Sequence, residues 1–131
     1  MNSKQEAIEK KIAKANALLS EIDVLMEHRF HATAVNRLYY ACFHATKALL
    51  LTKDLIPKTH SGVINLLHQH FVQSELMDVK QAAFFSRLLQ ERIEDDYSDA
   101  IILNDDEVAD FVQPAKEYVK YREEVIKSAA S

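Results

Sequence analysis

Asn36-Arg37-Leu38-Tyr39-Tyr40-Ala41-Cys42-Phe43-His44-Ala45 is the stretch that decides the fold class. It holds no Gly or Pro, and the apolar character runs on to Leu51 without a turn signal. Val35, Leu38, Cys42, Ala45 and Leu49 recur at threes and fours, the repeat of one helical face. Phe43, Leu50 and Leu51 widen that face over most of the circumference, so the pattern predicts a central helix from about His31 to Leu51. Arg37, Tyr40 and His44 share one stripe of this helix, with Arg37 and His44 roughly 10 Å apart along the axis. A guanidinium, a phenol and an imidazole on an otherwise apolar helix must be partnered, solvated in a cleft, or used.

Upstream, Ser3 with Glu6 has the form of a capping box, and Ile8, Ile12, Ala15, Leu19, Ile22 and Met26 then follow helical spacing. A break is expected near Glu27-His28-Arg29-Phe30, although no Gly or Pro marks it. Downstream, Lys53 to Lys58 reads as a connection. Thr59 then caps a short third helix carrying Val63, Ile64, Leu66, Leu67 and Phe71. Ser74 is the expected cap of a fourth helix that turns Val79, Ala82, Ala83, Leu89 and Ile93 inward. Phe84, Phe85 and Leu88 give that helix more apolar surface than one core face needs, which predicts a homodimer built near it. Ser98 to Leu103 reads as the last loop. Asn104 with Glu107 starts a fifth helix carrying Val108, Phe111, Val112, Ala115, Tyr118, Val119 and Val125, with a kink expected at Pro114. Residues 1–131 therefore read as one all-α domain, an antiparallel up-and-down bundle of about five helices.

Composition agrees and narrows the function. One Gly and two Pro leave almost no material for hairpins, and 48% hydrophobic with 27% charged residues is ordinary for a soluble chain. The lone Cys42 excludes an intrachain disulfide or a cysteine zinc site. No signal core opens the sequence and no stretch approaches the ~18 apolar residues of a span, so a cytoplasmic location without membrane contact is expected. A formal charge of −4 argues against broad coating of nucleic acid, while leaving room for a local basic pocket.

Two readings of the central stripe stand side by side. In one, His44 takes a proton from a ribose hydroxyl and Arg37 stabilises the phosphorane charge, so that the pair cleaves RNA. In the other, Arg37 pairs with a carboxylate of the fourth helix, Asp96 above all, and His44 hydrogen-bonds nearby backbone or hydroxyl. Arg92 and Asp96 lie four apart and can pair with each other or across to Arg37 and Tyr40. Tyr97 reads as helix-end packing or as a phosphate or modification site. His60 stands at the amino end of the third helix, where anions are favoured, and is either a packing residue or a phosphate contact. Gly62, two residues on, would admit a close approach of backbone or ligand. His68 with His70 diverge, and His28 with His31 lack a third ligand, so no metal site is expected. Glu94, Asp95, Asp96, Asp99, Asp105, Asp106 and Glu107 read as a solvated acidic face.

The block Asn36 to Ala45 resembles, in register, the Asn-Arg-x-Tyr-Tyr-Ala-x-Phe-His-Ala pattern of a stand-alone subfamily of HEPN domains. Two further blocks are similar to that family: Lys58-Thr59-His60-Ser61-Gly62-Val63-Ile64, and Arg92-Ile93-Glu94-Asp95-Asp96-Tyr97. The resemblance implies a helical bundle, dimerisation, and action beside a minimal nucleotidyltransferase. It also implies that many relatives are metal-independent ribonucleases with a late Arg-x(4–6)-His motif, often followed by Tyr, which the partner enzyme nucleotidylates in some pairs. Here Arg92 is followed by Asp95, Asp96 and Tyr97 with no His, and the one Arg-x(6)-His is Arg37 to His44. The expectation is a nucleotide- or partner-binding component of a toxin–antitoxin-like module, using Tyr40, His60, Arg92, Asp96 and Tyr97 and no cofactor. The alternative is an endoribonuclease toxin using Arg37 and His44 on RNA.

Overall fold

The computed structural model describes residues 3–97 and 105–130, and the side chains of 3–91 and 106–128. Six α-helices follow one another: α1 Ser3–Ser20, α2 Ile22–Glu27, α3 His31–Leu51, α4 His60–Leu67, α5 Val79–Tyr97 and α6 Asp105–Ala130. A π-helical turn, His68–Val72, extends α4. α1 and α2 are the single first helix read from the sequence, paused at Glu21. The all-α reading holds.

α3 is the axis of the bundle and packs on α1, α2, α4, α5 and α6. Val35, Leu38, Cys42, Ala45 and Leu49 are all buried, as their spacing requires. Ala34, Ala41 and Ala48 are buried as well, and these small side chains let neighbouring helices come close.

Helix termination in a chain with one glycine is solved three times by the same device. Arg29, Asp54 and Glu75 adopt left-handed backbone, φ 59°, 60° and 62°. At each, two backbone bonds close the helix: Arg29 N to Met26 O with Phe30 N to Leu25 O, Asp54 N to Leu51 O with Leu55 N to Leu50 O, and Glu75 N to Val72 O with Leu76 N to Phe71 O. This is the Schellman arrangement, and it explains the break at residues 27–30.

Thr59 caps α4 as read, its Oγ1 accepting from Gly62 N at 2.9 Å. A Cβ on Gly62 would stand 2.8 Å from that same oxygen, so glycine here protects the cap rather than admitting a ligand. Ser74, by contrast, does not cap α5: its hydroxyl donates to His70 O, and Asp78 Oδ1 accepts from Lys80 N at the true start.

The inward face of α5 is correspondingly rotated from the expected one. Val79 and Ala83 are exposed, whereas Ala82, Phe85 and Leu88 are buried and Phe84 packs against the core. Phe85 and Leu88 are thus interior to one chain and Phe84 is half-buried against the core, so among the described residues these three do not form the surplus apolar face from which a homodimer was expected. α6 buries Val108, Phe111, Ala115, Tyr118 and Val119 as read, and adds Arg122 and Ile126 on the same face. α6 continues through Pro114. The calls on Ile93, on the Ser98 to Leu103 loop and on the Asn104 cap lie outside the described residues. Among the described residues no helix is long and apolar enough to cross a membrane.

Candidate functional site

The polar stripe of α3 divides into two neighbourhoods. At its amino end Arg37 is half-exposed, its Nε donating to Glu21 Oε2 at 2.8 Å and its Nη1 to Asn36 Oδ1 at 3.3 Å. This partner comes from the pause between α1 and α2, against the first turns of α3; the expected pairing of Arg37 with Asp96 lies outside the described residues.

One and two turns on, Tyr40, Phe43 and His44 form a half-buried ring surface, with Tyr40–His44 centroids 6.2 Å apart and Phe43–His44 5.8 Å. His60 joins it from the first residue of α4. Its imidazole stacks on Phe43 at 4.7 Å, meets Tyr40 edge-on at 6.3 Å, and hydrogen-bonds the Tyr39 hydroxyl through Nδ1. Tyr39 is fully buried and stacks on Phe85 of α5 at 5.7 Å with planes 9° apart. A wholly buried phenol anchored in the core therefore fixes the orientation of a half-buried imidazole.

His44 is electrically distinctive. Its pKa is lowered from 6.5 to about 4, first by burial and then by the positive charges of Lys14, Lys47 and Lys11. It is neutral at pH 7, able to accept a proton or a hydrogen bond. Lys47 is likewise lowered by burial and by Lys11 and Lys14. Its ammonium lies 5.2 Å from the Phe43 ring centre, extending the ring surface with a cation.

The structure brings together Tyr40, His44 and His60 of the predicted site. It leaves Arg37 apart on Glu21, and the side chains of Arg92, Asp96 and Tyr97 lie outside the described residues. Sequence reasoning did not find Tyr39, Phe43, Glu21 or the three lysines. Phe43 and Lys47 stand four apart beside Tyr40 and His44, a spacing readable from the chain. Which loop meets the amino end of α3 is a tertiary fact with no local signal. A second polar cluster lies in the core: Tyr118 donates to Thr46 Oγ1 at 2.7 Å, and Thr46 donates to Cys42 O at 2.7 Å. Burial pushes both the Tyr118 phenol and the Cys42 thiol up, so neither is a reactive group.

Comparison with known proteins agrees with this architecture. The family model described as HEPN domain matches residues 8–128. A "UPF0332 protein" of Thermotoga maritima is 30% identical over 96% of this chain and 96% of its own length. Two proteins of Methanocaldococcus jannaschii, "Putative toxin MJ0142" and "Putative toxin MJ0605", are 35% and 37% identical, over 76% and 72% of this chain and 68% and 70% of theirs.

Proposed function

The chain belongs to the HEPN domain family, and from that premise we propose that it is the nucleotide- and partner-binding component of a two-component module with a minimal nucleotidyltransferase. Relatives named as toxins support the toxin–antitoxin setting. The observation that carries the binding role is the ring surface of Tyr40, Phe43, His44 and His60, drawn from two elements and held in place by Tyr39. Aromatic rings with a neutral imidazole acceptor suit a nucleobase, which stacks and donates hydrogen bonds. Arg92, Asp96 and Tyr97 complete the proposed binding set from the end of α5. A homodimer belongs to the same proposal on family resemblance alone.

The endoribonuclease reading has one specific observation in its favour, a His44 imidazole that is unprotonated at neutral pH and so can accept a proton, while its lowered pKa of about 4 makes it a weak base. Against it stands Arg37, whose guanidinium is engaged by Glu21 and whose position is roughly two helical turns from His44. The two do not converge on one phosphate within one chain.

The test is titration calorimetry with AMP and ATP on wild type, His60→Ala and Tyr40→Ala, beside co-purification with a minimal nucleotidyltransferase from the same genome. Binding by wild type that drops about tenfold in both variants, and a stable complex, are expected. EDTA-resistant cleavage of RNA to 2′,3′-cyclic phosphate ends, abolished by His44→Ala, would instead establish the nuclease.

A further inference from the structure

Lysines are not spread evenly around this molecule. Lys11 and Lys14 stand one turn apart on α1 and face Lys47 and His44 on α3, and each of the three pairs with no carboxylate among the described residues. Four other described cations do pair with carboxylates: Lys4 with Asp54, Arg37 with Glu21, Lys116 with Asp23, Lys127 with Glu123. In a chain with four more acidic than basic residues, three mutually repelling cations gathered at one place form a local excess of positive charge. Such a cluster costs electrostatic free energy until an anion neutralises it.

The space for the anion is present. A cavity of about 320 Å³ opens between α1 and α3, lined by Lys11 and Lys47, by the Asp54-paired Lys4, and by Ala7, Leu51 and Leu55. On its other side Lys47 reaches over Phe43, whose ring stacks on His60. The lysine cluster and the ring surface are therefore continuous through Lys47 and Phe43.

We propose that Lys11, Lys14 and Lys47 form a phosphate subsite, holding a phosphate of a nucleotide or of an RNA backbone whose base lies on the Phe43–His60 ring surface. This rests on the nucleotide-binding reading above and adds to it the α1 residues that would hold the charge. Three flexible ammonium donors from two helices suit a phosphate with several acceptor oxygens, whereas a flat carboxylate clamp would call for arginine. His44, bounded by the same lysines, reports occupancy: an anion there offsets the positive field that keeps its imidazole unprotonated.

The probe is inorganic pyrophosphate, read by NMR titration of His44 and by calorimetry on the full chain. Pyrophosphate is expected to move the His44 midpoint upward from about 4 toward 6.5. Lys11→Gln with Lys47→Gln should weaken its binding about tenfold, and Lys116→Gln with Lys127→Gln should leave it unchanged. The Lys11/Lys47 double variant should also unfold no earlier than wild type, because like-charge repulsion has been relieved. An unmoved His44 midpoint, or equal affinity in the two double variants, overturns the subsite. AMP binding lost in His60→Ala but intact in the Lys11/Lys47 variant also overturns it while sparing the nucleotide reading. Pyrophosphate binding that needs Lys11 and Lys47, with AMP no tighter and His60→Ala without effect, upholds the subsite and rejects the ring surface as a base site. Comparing AMP with an oligouridylate of about ten nucleotides then identifies the source: only a polymer backbone gives the steeper salt dependence.

Discussion

Arg122 shows how much a single side chain can depend on its surroundings. It is 3% exposed, donates through Nη2 to Gln81 Oε1, and lies 4.6 Å from the Tyr118 ring centre. Its Nε and Nη1 find no hydrogen-bond partner, and it forms no ion pair among the described residues. A buried charge compensated only by an amide and a ring face recovers little of its desolvation cost, so removing the charge while keeping the volume should cost little. Arg122→Met is expected to match wild type within ~1 kcal/mol or to exceed it in urea denaturation. A loss above ~2 kcal/mol would show that the guanidinium stabilises the core after all. His44 makes the opposite kind of statement, through pH. Its folded pKa, about 4, lies below its ordinary value of 6.5, so between these the unfolded chain binds the proton more readily. Its contribution to stability is full above pH 6.5 and is lost as pH falls toward 4. The difference in unfolding free energy between wild type and His44→Gln should shrink across that window and become constant below it. A pH-independent difference would place the imidazole in open solvent.

Helix ends reveal which local signals the sequence exposes and which it hides. The Thr59 cap and the Lys53 to Lys58 connection were legible because hydroxyl and proline chemistry is local. The three left-handed ends at Arg29, Asp54 and Glu75 carry no glycine to announce them, yet each is followed by an apolar residue five places after another: Leu25 and Phe30, Leu50 and Leu55, Phe71 and Leu76. That spacing is the hydrophobic mark of a Schellman end, and it was available in the sequence. Reading Ser74 as the cap placed the start of α5 before Asp78, and Val79 and Ala83, included in the inferred face beside the correctly placed Ala82, are exposed. The core face of α6 was legible by spacing, except that a charge at Arg122 disguised a core position between Tyr118 and Ile126. A non-glycine residue in left-handed backbone costs about 1 kcal/mol relative to glycine. Glu75 is exposed and forms no ion pair among the described residues, so Glu75→Gly should raise the thermal midpoint by a few degrees. An unchanged or lower midpoint would mean that the flexibility gained by the unfolded chain outweighs the relieved strain.

At the scale of the molecule, the bundle is organised around α3, and this was legible because a helix apolar on most of its circumference has nowhere to go but the centre. The candidate site was only half legible for a related reason. Tyr40 and His44 share a helix, so periodicity places them together, whereas His60 and Lys11 reach that region, and Glu21 reaches Arg37, from other elements, and single-helix spacing carries no information about which loop meets which turn. The same distinction governs assembly. Phe84, Phe85 and Leu88 looked like a second interface when α5 was read alone, yet Phe85 and Leu88 are buried within the chain and the two phenylalanines pack on its own rings: Phe85 lies 5.7 Å from Tyr39 and 5.6 Å from Tyr118, and Phe84 6.2 Å from Phe111. With its largest side chains interdigitated within one protomer, the core is complete without a second copy. Any dimer this chain forms must then associate folded protomers rather than create the fold. An obligate dimer unfolds when dilution separates its chains, whereas a protomer that folds alone stays helical as it dissociates; the midpoint rises with concentration in either case and does not distinguish them. On dilution from about 100 to about 1 µM, far-UV circular dichroism should therefore keep its helical signal whether or not the mass by light scattering falls. Helical signal lost together with the dimer mass would show that some face of this bundle, other than that of Phe85 and Leu88, is part of the core only when paired.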